Sequence, residues 1–284
     1  MPEESAASDL VELTRQAIDA SRRGDIYTAT GLFAGDVVWE SLDGLGVFEG
    51  VTAVRGFLED FAAGYESFDT EPEEIRDMGG GVVFAVIRHK GRLAGGAGAV
   101  EGRFAWALVL ERRLVVRVVA GSDIGEVRRV AERLAEESQT AMARANMKLL
   151  MSLAPSEDAD LVHMYRDDEN WAALTDTAAA AFHPDCESVR PGLPGGRTYI
   201  GLDGLRSAWL DWLAPWASYH VEIEQAIDCG DRILLLVNNF GRLEGSTEVV
   251  TNATAGVYTF RDGRIARWEI YSDRAEALNA VGLG

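Results

Sequence analysis

The spacing of hydrophobic residues changes from helical to strand-like within the first half of the chain. Leu10, Leu13 and Ala17 fall at helical spacing behind Ser8 and Asp9, which predicts an amphipathic helix with an N-cap. The elements predicted after it are helices at 26–33 and 52–61 and strands at 37–41, 68–76, 82–90, 103–110 and 114–120. Helices followed by a meander of long strands are typical of an α+β fold, with helices packed on one face of a curved antiparallel sheet.

The same order of elements recurs in the second half. Its predicted elements are helices at 171–182 and 203–213 and strands at 186–190, 219–229, 232–240, 248–260 and 264–271. Asp262 and Gly263 predict a tight hairpin turn between the last two strands. Between the two sets, residues 126–153 predict a long charged helix that ends before Pro155, and its Arg/Glu alternation indicates a solvent-exposed face.

The two halves also share sequence at a nearly constant shift. Val86–Leu93 aligns with Leu236–Leu243 through a common Gly-Arg-Leu, and Leu114–Asp123 aligns without a gap with Arg264–Asp273. Each pair is 150 positions apart (236 − 86 and 264 − 114), which indicates an internal duplication of a whole domain. The predicted organisation is a first domain at 1–131, a helical linker at 132–156 and a second domain at 157–284.

Composition and charge narrow the classes of partner. The net charge of −19 disfavours nucleic acid and anionic membrane surfaces. Cys186 and Cys229 lack metal or redox spacing and no signal-peptide pattern follows Met1, so we expect a cytoplasmic protein. The run 183–187 holds metal-ligand residue types, but neighbouring side chains on a strand diverge. We therefore expect no metal and no cofactor.

Several segments carry a resemblance to a known family. They are Gly256–Ile265 and Trp268–Asp273 in the second copy and Asp36–Glu40 in the first. With these segments the chain resembles two tandem SnoaL-like domains of the NTF2-like superfamily, which also includes polyketide cyclases, ketosteroid isomerase and limonene-epoxide hydrolase. The resemblance implies cone-shaped domains, each with a pocket between its helices and the concave face of the sheet.

The resemblance also implies which side chains face each pocket. In the first copy these are Trp39, Ser41, Ile87, His89, Val116, Val118 and Ala120. In the second copy they are Ser188, Arg190, Val237, Asn239, Ala266, Trp268 and Ile270.

The places where the related enzymes hold catalytic carboxylates differ here. The epoxide hydrolase positions hold Ile270, Val237 and Asn239 in the second copy and no carboxylate in the first, so epoxide hydrolysis is disfavoured. Ser41 and Arg190 occupy the place of the isomerase base, and neither is a useful base near neutral pH.

Three polar residues remain candidates for catalysis. His89 could act as a base, or it could be a strand-end histidine that is solvated or hydrogen-bonded. Arg190 could hold a carboxylate or an enolate oxygen, or it could face solvent. Asn239 could steady the same enolate oxygen.

Tryptophans are concentrated in the second copy. Trp209, Trp212 and Trp216 recur at helical spacing, which favours core packing. Trp209, Trp212 and Trp268 could alternatively wall a pocket for a flat apolar ligand. We therefore expect the better-formed pocket in the second copy.

The outer face of the first sheet is also apolar. Val115 and Val119 flank Arg117 on the last strand, and Arg267 matches Arg117 in the second copy. A strand that is apolar on both faces is usually covered on both. We expect sheet-to-sheet packing between the two copies or in a homodimer.

The sequence as a whole favours a protein that binds a small hydrophobic molecule. If it is an enzyme, we expect a cofactor-free isomerase or cyclase that transfers a proton on a carbonyl compound. The alternative is a non-catalytic ligand-binding or scaffolding protein. The missing carboxylates favour the alternative, whereas Arg190, Asn239 and Ser188 favour the enzyme.

Overall fold

The structure, a computed structural model, describes residues 2–96, 98–191 and 197–284; residues 2–8 and Thr177 are described by their backbone alone. The chain divides into two compact units, Met1–Thr140 and Ala141–Gly284. This division falls inside the segment that the sequence predicts as the linker.

The first unit contains three helices, six strands and the start of a long helix among its described residues. In chain order these are α1 (Pro2–Arg22), α2 (Ile26–Thr30), β1 (Phe33–Ser41), β2 (Gly46–Glu49), α3 (Val51–Ala63), β3 (Tyr65–Gly79), β4 (Val82–Leu93), β5 (Ala99–Glu111), β6 (Leu114–Gly121) and α4 (Ile124–Ser152). Helix α4 continues into the second unit.

The second unit repeats this order. Its elements are α5 (Leu161–Arg166), α6 (Asp168–Ala178), β7 (Phe182–Val189), β8 (Thr198–Ile200), α7 (Gly201–Leu213), β9 (Trp216–Asp228), β10 (Arg232–Leu243), β11 (Val249–Arg261), β12 (Arg264–Tyr271) and α8 (Arg274–Ala280). Asp262 and Gly263 both have positive φ angles, of 53° and 70°, which confirms the predicted hairpin turn.

The two sheets have the same topology. Their strand orders are β2-β1-β6-β5-β4-β3 and β8-β7-β12-β11-β10-β9. Strand β1 pairs with β6 in parallel, as β7 does with β12, and the other neighbours are antiparallel. The predicted α+β class is confirmed. Each sheet is mixed, however, because it contains one parallel pair among antiparallel ones. That pair joins the first and last strands of the copy's long meander, β1 with β6 and β7 with β12.

A core fills the space between each sheet and its helices. In the first unit Ile18 of α1 and Val54 of α3 pack with Val37 and Ile87 of the sheet, and all four are at most 1% exposed. Each such side chain contributes about 1.5–3 kcal/mol by leaving water. This burial explains why the apolar stripes of the two helices fall at helical spacing.

Two strands bulge, and the bulges change which residues face inward. The register shifts between Val109 and Leu110 and again between Thr259 and Phe260. As a result Val115 and Ile265 join the inner cores, where strict alternation placed Val116 and Ala266. Alternation cannot reveal an extra residue in a strand, so the prediction was wrong at this end of each last strand.

Helix α4 covers the outer face of the first sheet. Val127, Ala131 and Ala135 of α4 pack on a cluster that includes Phe84 and Val119. The cover predicted for this apolar face is therefore a helix of the same chain, where the sequence suggested another sheet. Sheet-to-sheet packing between the two copies or in a homodimer stays a prediction.

Candidate functional site

Each unit contains a cavity between its helices and the concave face of its sheet. Cavity 1, in the first unit, has a volume of about 460 Å³. Cavity 2, in the second unit, has a volume of about 320 Å³. Cavity 1 is thus the larger of the two, and the expectation that the second copy holds the better-formed pocket stays a prediction.

A large-for-small exchange between neighbouring strands distinguishes the two cavities. Trp39 of β1 pairs with Val118 of β6, whereas in the second copy Ser188 of β7 pairs with Trp268 of β12. Each copy thus holds one indole at this level of its sheet, supplied from opposite members of the parallel pair. Ser188 is buried next to Trp268 and does not line cavity 2.

Eight Phe, Trp and Tyr residues line cavity 1. Its aromatic lining residues are Phe33, Trp39, Phe57, Phe61, Tyr65, Phe68, Phe104 and Trp106. The rings of Trp39 and Trp106 meet edge to face at 5.7 Å between centroids, and Trp39 lies 6.0 Å from Phe57. Such an interlocked wall offers flat apolar surface on several sides.

His89 of β4 lies within this wall. Its ring centroid is 5.8 Å from that of Phe68 and 5.4 Å from that of Phe104. Gly102, its partner on β5, leaves room for the ring, because a Cβ there would come within 2.8 Å of the imidazole Cε1 atom. The sequence left open whether His89 is solvated. The structure instead packs it between aromatic rings.

Two buried polar atoms of cavity 1 lack hydrogen-bond partners within the described chain. They are Nδ1 of His89 and Oγ1 of Thr70, whose residues face each other across β3 and β4. Burial lowers the pKa of His89, because the wall disfavours a charged imidazolium. The imidazole is therefore neutral near pH 7, the form that can both donate and accept a hydrogen bond.

Acidic and hydroxyl groups at cavity 1 are placed differently. The carboxylate of Asp43 accepts bonds from Ser122, with its Oδ2 atom 2.9 Å from the backbone nitrogen and its Oδ1 atom 2.8 Å from the hydroxyl. Asp43 thus ties the end of β6 to the turn after β1. Ser41 lines the cavity with Trp39, as the resemblance implied.

Arg190 follows β7 and lines cavity 2. It is half-buried rather than solvated, its Nη2 atom donates to the carbonyl oxygen of Ala208 at 3.0 Å, and its guanidinium stacks 4.8 Å from the Trp212 ring. Burial lowers the pKa of Arg190. The inward position that the sequence left open is the one the structure shows.

Asn239 also lines cavity 2, but its amide is already engaged. Its Nδ2 atom donates to the carbonyl oxygen of Asn252 at 3.0 Å and to Oγ1 of Thr254 at 2.9 Å. Both amide hydrogens are used, so Asn239 cannot donate to an enolate oxygen. Its predicted role is not supported by this geometry.

Aromatic rings form much of the wall of cavity 2. Trp268 stacks on Tyr258 at 5.6 Å and lies 5.4 Å from Trp209, which in turn stacks on Tyr165. Burial raises the pKa values of Tyr165 and Tyr258, so both phenols stay neutral. Trp212 and Ile270 also line cavity 2. The side chains of Trp209, Trp212 and Trp268 therefore pack in the core and line the cavity as well.

The predicted site residues other than Ser188, which lines neither cavity, thus fall into two separate cavities. His89, Trp39 and Ser41 line cavity 1; Arg190, Asn239, Trp209, Trp212, Trp268 and Ile270 line cavity 2. Residues that the sequence did not single out are Phe68, Thr70, Phe104, Trp106 and Tyr258. A signal was present for four of them, since Phe68 and Thr70, like Phe104 and Trp106, alternate along one strand and so share a face.

The run His183–Glu187 forms no convergent set. His183 and Asp185 pair with each other and with Arg261, while Cys186 is buried and Glu187 pairs with Arg267. Arg117 of the first copy likewise pairs with Glu40, at 2.9 Å. The matching arginines on the last strands therefore hold carboxylates on their own sheets.

A comparison with protein families decides the relationship. A family model described as "SnoaL-like domain" matches residues 14–118 and 162–268, once in each copy. The chain belongs to the SnoaL-like family.

Solved structures resemble single SnoaL-like copies of the chain. An NTF2-like protein from Burkholderia pseudomallei is 20% identical with a TM-score of 0.37, over 43% of this chain and 95% of that one. An LEH-like epoxide hydrolase from M. tuberculosis is 14% identical with a TM-score of 0.37, over 45% of this chain and 92% of that one. A cystatin-fold protein from Novosphingobium aromaticivorans is 19% identical with a TM-score of 0.36, over 39% of this chain and 96% of that one.

Two further findings concern this SnoaL-like chain. No curated protein matches its sequence. Among the described helices, none combines the length and the apolar character needed to cross a membrane. The family membership itself gives the fold, and a fold of this kind does not by itself specify a reaction.

Proposed function

We propose that the first unit binds a small, flat and mostly apolar molecule in cavity 1, with a polar group of the molecule bonded to His89. The observation that carries this proposal is the buried Nδ1 atom, which has no partner within the described chain and belongs to a ring that packs between Phe68 and Phe104. A buried polar atom without a partner costs about 1–3 kcal/mol, and a ligand that bonds to it recovers part of this.

The shape and chemistry of cavity 1 support such a ligand. Its volume of about 460 Å³ lies within the range usual for small-molecule sites. Aromatic rings on several sides favour a planar molecule, and Thr70 offers a second hydrogen-bonding atom beside His89. A carbonyl or hydroxyl compound satisfies both requirements.

A chemical step would follow from the same arrangement. The neutral imidazole can take a proton from carbon next to a carbonyl group or return it, which is the chemistry of a cofactor-free isomerase or cyclase. The competing function is binding without catalysis, as in a carrier or a scaffold. Binding without catalysis is favoured by the state of Asp43. Its carboxylate accepts hydrogen bonds from Ser122, so it is not free to act as a base on a bound molecule.

A binding experiment tests the proposal. We suggest 2-naphthol as the probe and naphthalene as its apolar counterpart, with affinity measured through quenching of tryptophan fluorescence. Wild type is expected to prefer 2-naphthol, and His89→Gln is expected to lose about five- to tenfold of that affinity with one hydrogen bond. His220→Gln is the matched control, because His220 lines neither cavity. Equal affinity in wild type and His89→Gln would falsify the proposal.

Catalysis is tested separately with an enolisable bicyclic ketone in deuterated water. Exchange of the α-protons by wild type but not by His89→Gln is expected of an isomerase-type site. Exchange that does not depend on His89, or no exchange with intact binding, favours the carrier.

We further propose a cytoplasmic location, which is consistent with the two free cysteines.

A further inference from the structure

Arg190 is the one charged residue in the described lining of cavity 2. The remaining lining residues are apolar side chains together with neutral hydroxyl, indole and amide groups. Tyr165 and Tyr258 add no negative charge, because burial raises their pKa values. The cavity therefore presents a single positive charge to whatever enters it.

Within the described chain, this cation lacks a carboxylate partner at ion-pair distance. Its hydrogen bond is to the Ala208 carbonyl oxygen and its planar face lies on Trp212. Asp211 acts on it only as a weak, more distant charge, since that carboxylate accepts a bond from the Tyr199 hydroxyl at 2.5 Å and faces Arg197.

Three other partly buried arginines pair with carboxylates, whereas Arg55 bonds to the Thr30 hydroxyl at 2.9 Å and lies over the Tyr27 ring. Arg128 lies 2.9 Å from Glu74, Arg274 lies 2.9 Å from Glu224, and Arg206 lies 2.6 Å from Asp168. A guanidinium removed from water without a counter-ion is unfavourable, and a bidentate carboxylate is the partner that its planar fork fits best. The missing partner at Arg190 thus has an expected chemistry.

A second group in the same cavity also lacks a partner. The indole Nε1 of Trp268 is buried without a hydrogen bond, in a side chain that is only 8% exposed. Gly256, which also lines the cavity, lies close to this nitrogen, since a Cβ there would come within 3.1 Å of it. Arg190 and Trp268 are both donors, so both require an acceptor.

We propose that cavity 2 is a second ligand site, which binds an apolar carboxylate. The carboxylate pairs with the free donors of Arg190, and the apolar body lies against Trp209, Trp212 and Trp268. This ligand class differs from the neutral molecule proposed for cavity 1. The two copies therefore bind different molecules.

The test uses the full chain with 2-naphthoate and its neutral counterpart, 2-naphthamide. Isothermal titration of wild type is expected to show tenfold to a hundredfold tighter binding of the acid, as for a charge-assisted hydrogen bond. Arg190→Gln is expected to abolish this preference. Arg242→Gln removes the same charge from an exposed site in the same copy and is expected to preserve it.

Further outcomes separate this site from cavity 1. His89→Gln is expected to leave the affinity for 2-naphthoate unchanged, so failure of one proposal does not entail failure of the other. Arg190→Lys keeps the charge but not the planar fork, and is expected to retain part of the preference if Arg190→Gln fails to fold. Equal binding of acid and amide by wild type, or no binding of either, overturns the proposal.

Discussion

The imidazole of His89 and the amide of Asn239 occupy matching positions in the two copies, 150 residues apart, but their partners differ. In the second copy Thr254 accepts a hydrogen bond from Asn239. The matching residue in the first copy is Phe104, which accepts none and contacts the imidazole with its ring. One replacement on β5 thus leaves the imidazole without the hydroxyl partner that the amide has in the second copy.

The space that Gly102 leaves for the His89 ring gives a prediction for a single methyl group. In Gly102→Ala the new Cβ would come within 2.8 Å of the ring, so the imidazole must turn away. We expect affinity for 2-naphthol to fall about five- to tenfold, as for loss of one hydrogen bond. Gly35→Ala is the control, because a Cβ there meets no atom within 4 Å. Unchanged affinity in Gly102→Ala would argue against a fixed role for the ring.

His89 also predicts how stability depends on pH. Because burial lowers its pKa in the folded protein, the unfolded chain takes up the proton first as the pH falls through about 6.5. Wild type should therefore lose stability relative to His89→Gln between pH 7.5 and 5, measured by urea denaturation. Thr70→Val changes the same cavity without a titrating group, and its difference from wild type should stay constant. A constant difference for His89→Gln as well would mean that the imidazole is solvated.

Helix α4 covers the outer face of the first sheet, a contact that the sequence of the helix does not reveal. An aspartate caps each of the helices α4 and α8. Asp123 accepts from the Glu126 nitrogen, three residues on, at 2.9 Å, and Asp273 accepts from the Ala275 nitrogen, two residues on, at 2.8 Å. The two helices thus begin at repeated Ser-Asp sequences. Helix α4 extends far beyond the length of α8 and joins the two units.

The contact between α4 and the first sheet predicts a contrast between two alanines of one helix. Ala131 is fully buried against the sheet, whereas Ala141 is exposed. Ala131→Glu places an unpaired charge in an apolar contact, and we expect a loss of about 3 kcal/mol or more in the free energy of unfolding. Ala141→Glu should change it by less than about 0.5 kcal/mol. Urea denaturation measures both, and similar losses would mean that α4 does not cover this face.

Most of the elements, but less of the site, could be predicted from the sequence. Long periodic segments such as β4 and α7 were predicted to within a few residues, because burial of one face imposes their spacing. The short elements α5, α8, β2 and β8 were missed, since each has too few residues for a period to emerge. The inward turn of Arg190 and the engaged amide of Asn239 depend on neighbours distant in sequence, which no local pattern contains.

At the scale of the whole molecule, duplication has kept the framework and changed the contents. Both units have the same strand order and an indole at the same level of the sheet. Cavity 1 offers a neutral imidazole and a threonine and has Asp43, Glu66 and Arg103 in its lining, whereas Arg190 is the one charged residue in the described lining of cavity 2. The overall charge of −19 does not predict this, because the acidic side chains lie mainly outside the cavity walls.

The division into two units predicts where the chain can be cut. The family match ends at residue 118, yet α4 buries Val82, Phe84 and Val86 through residues up to Ala135. We expect fragment 1–140 to fold with a cooperative thermal transition. Fragment 1–123 should instead aggregate, because it exposes this apolar face to water.

Circular dichroism and size-exclusion chromatography of the two fragments distinguish these outcomes. Ala131→Glu in fragment 1–140 is a control that should reproduce the defect of 1–123 without shortening the chain, since it opens the same contact. A soluble, cooperatively folding 1–123 would contradict the assignment of α4 to the first unit. It would also show that the apolar outer face needs no cover, contrary to the burial that α4 provides there.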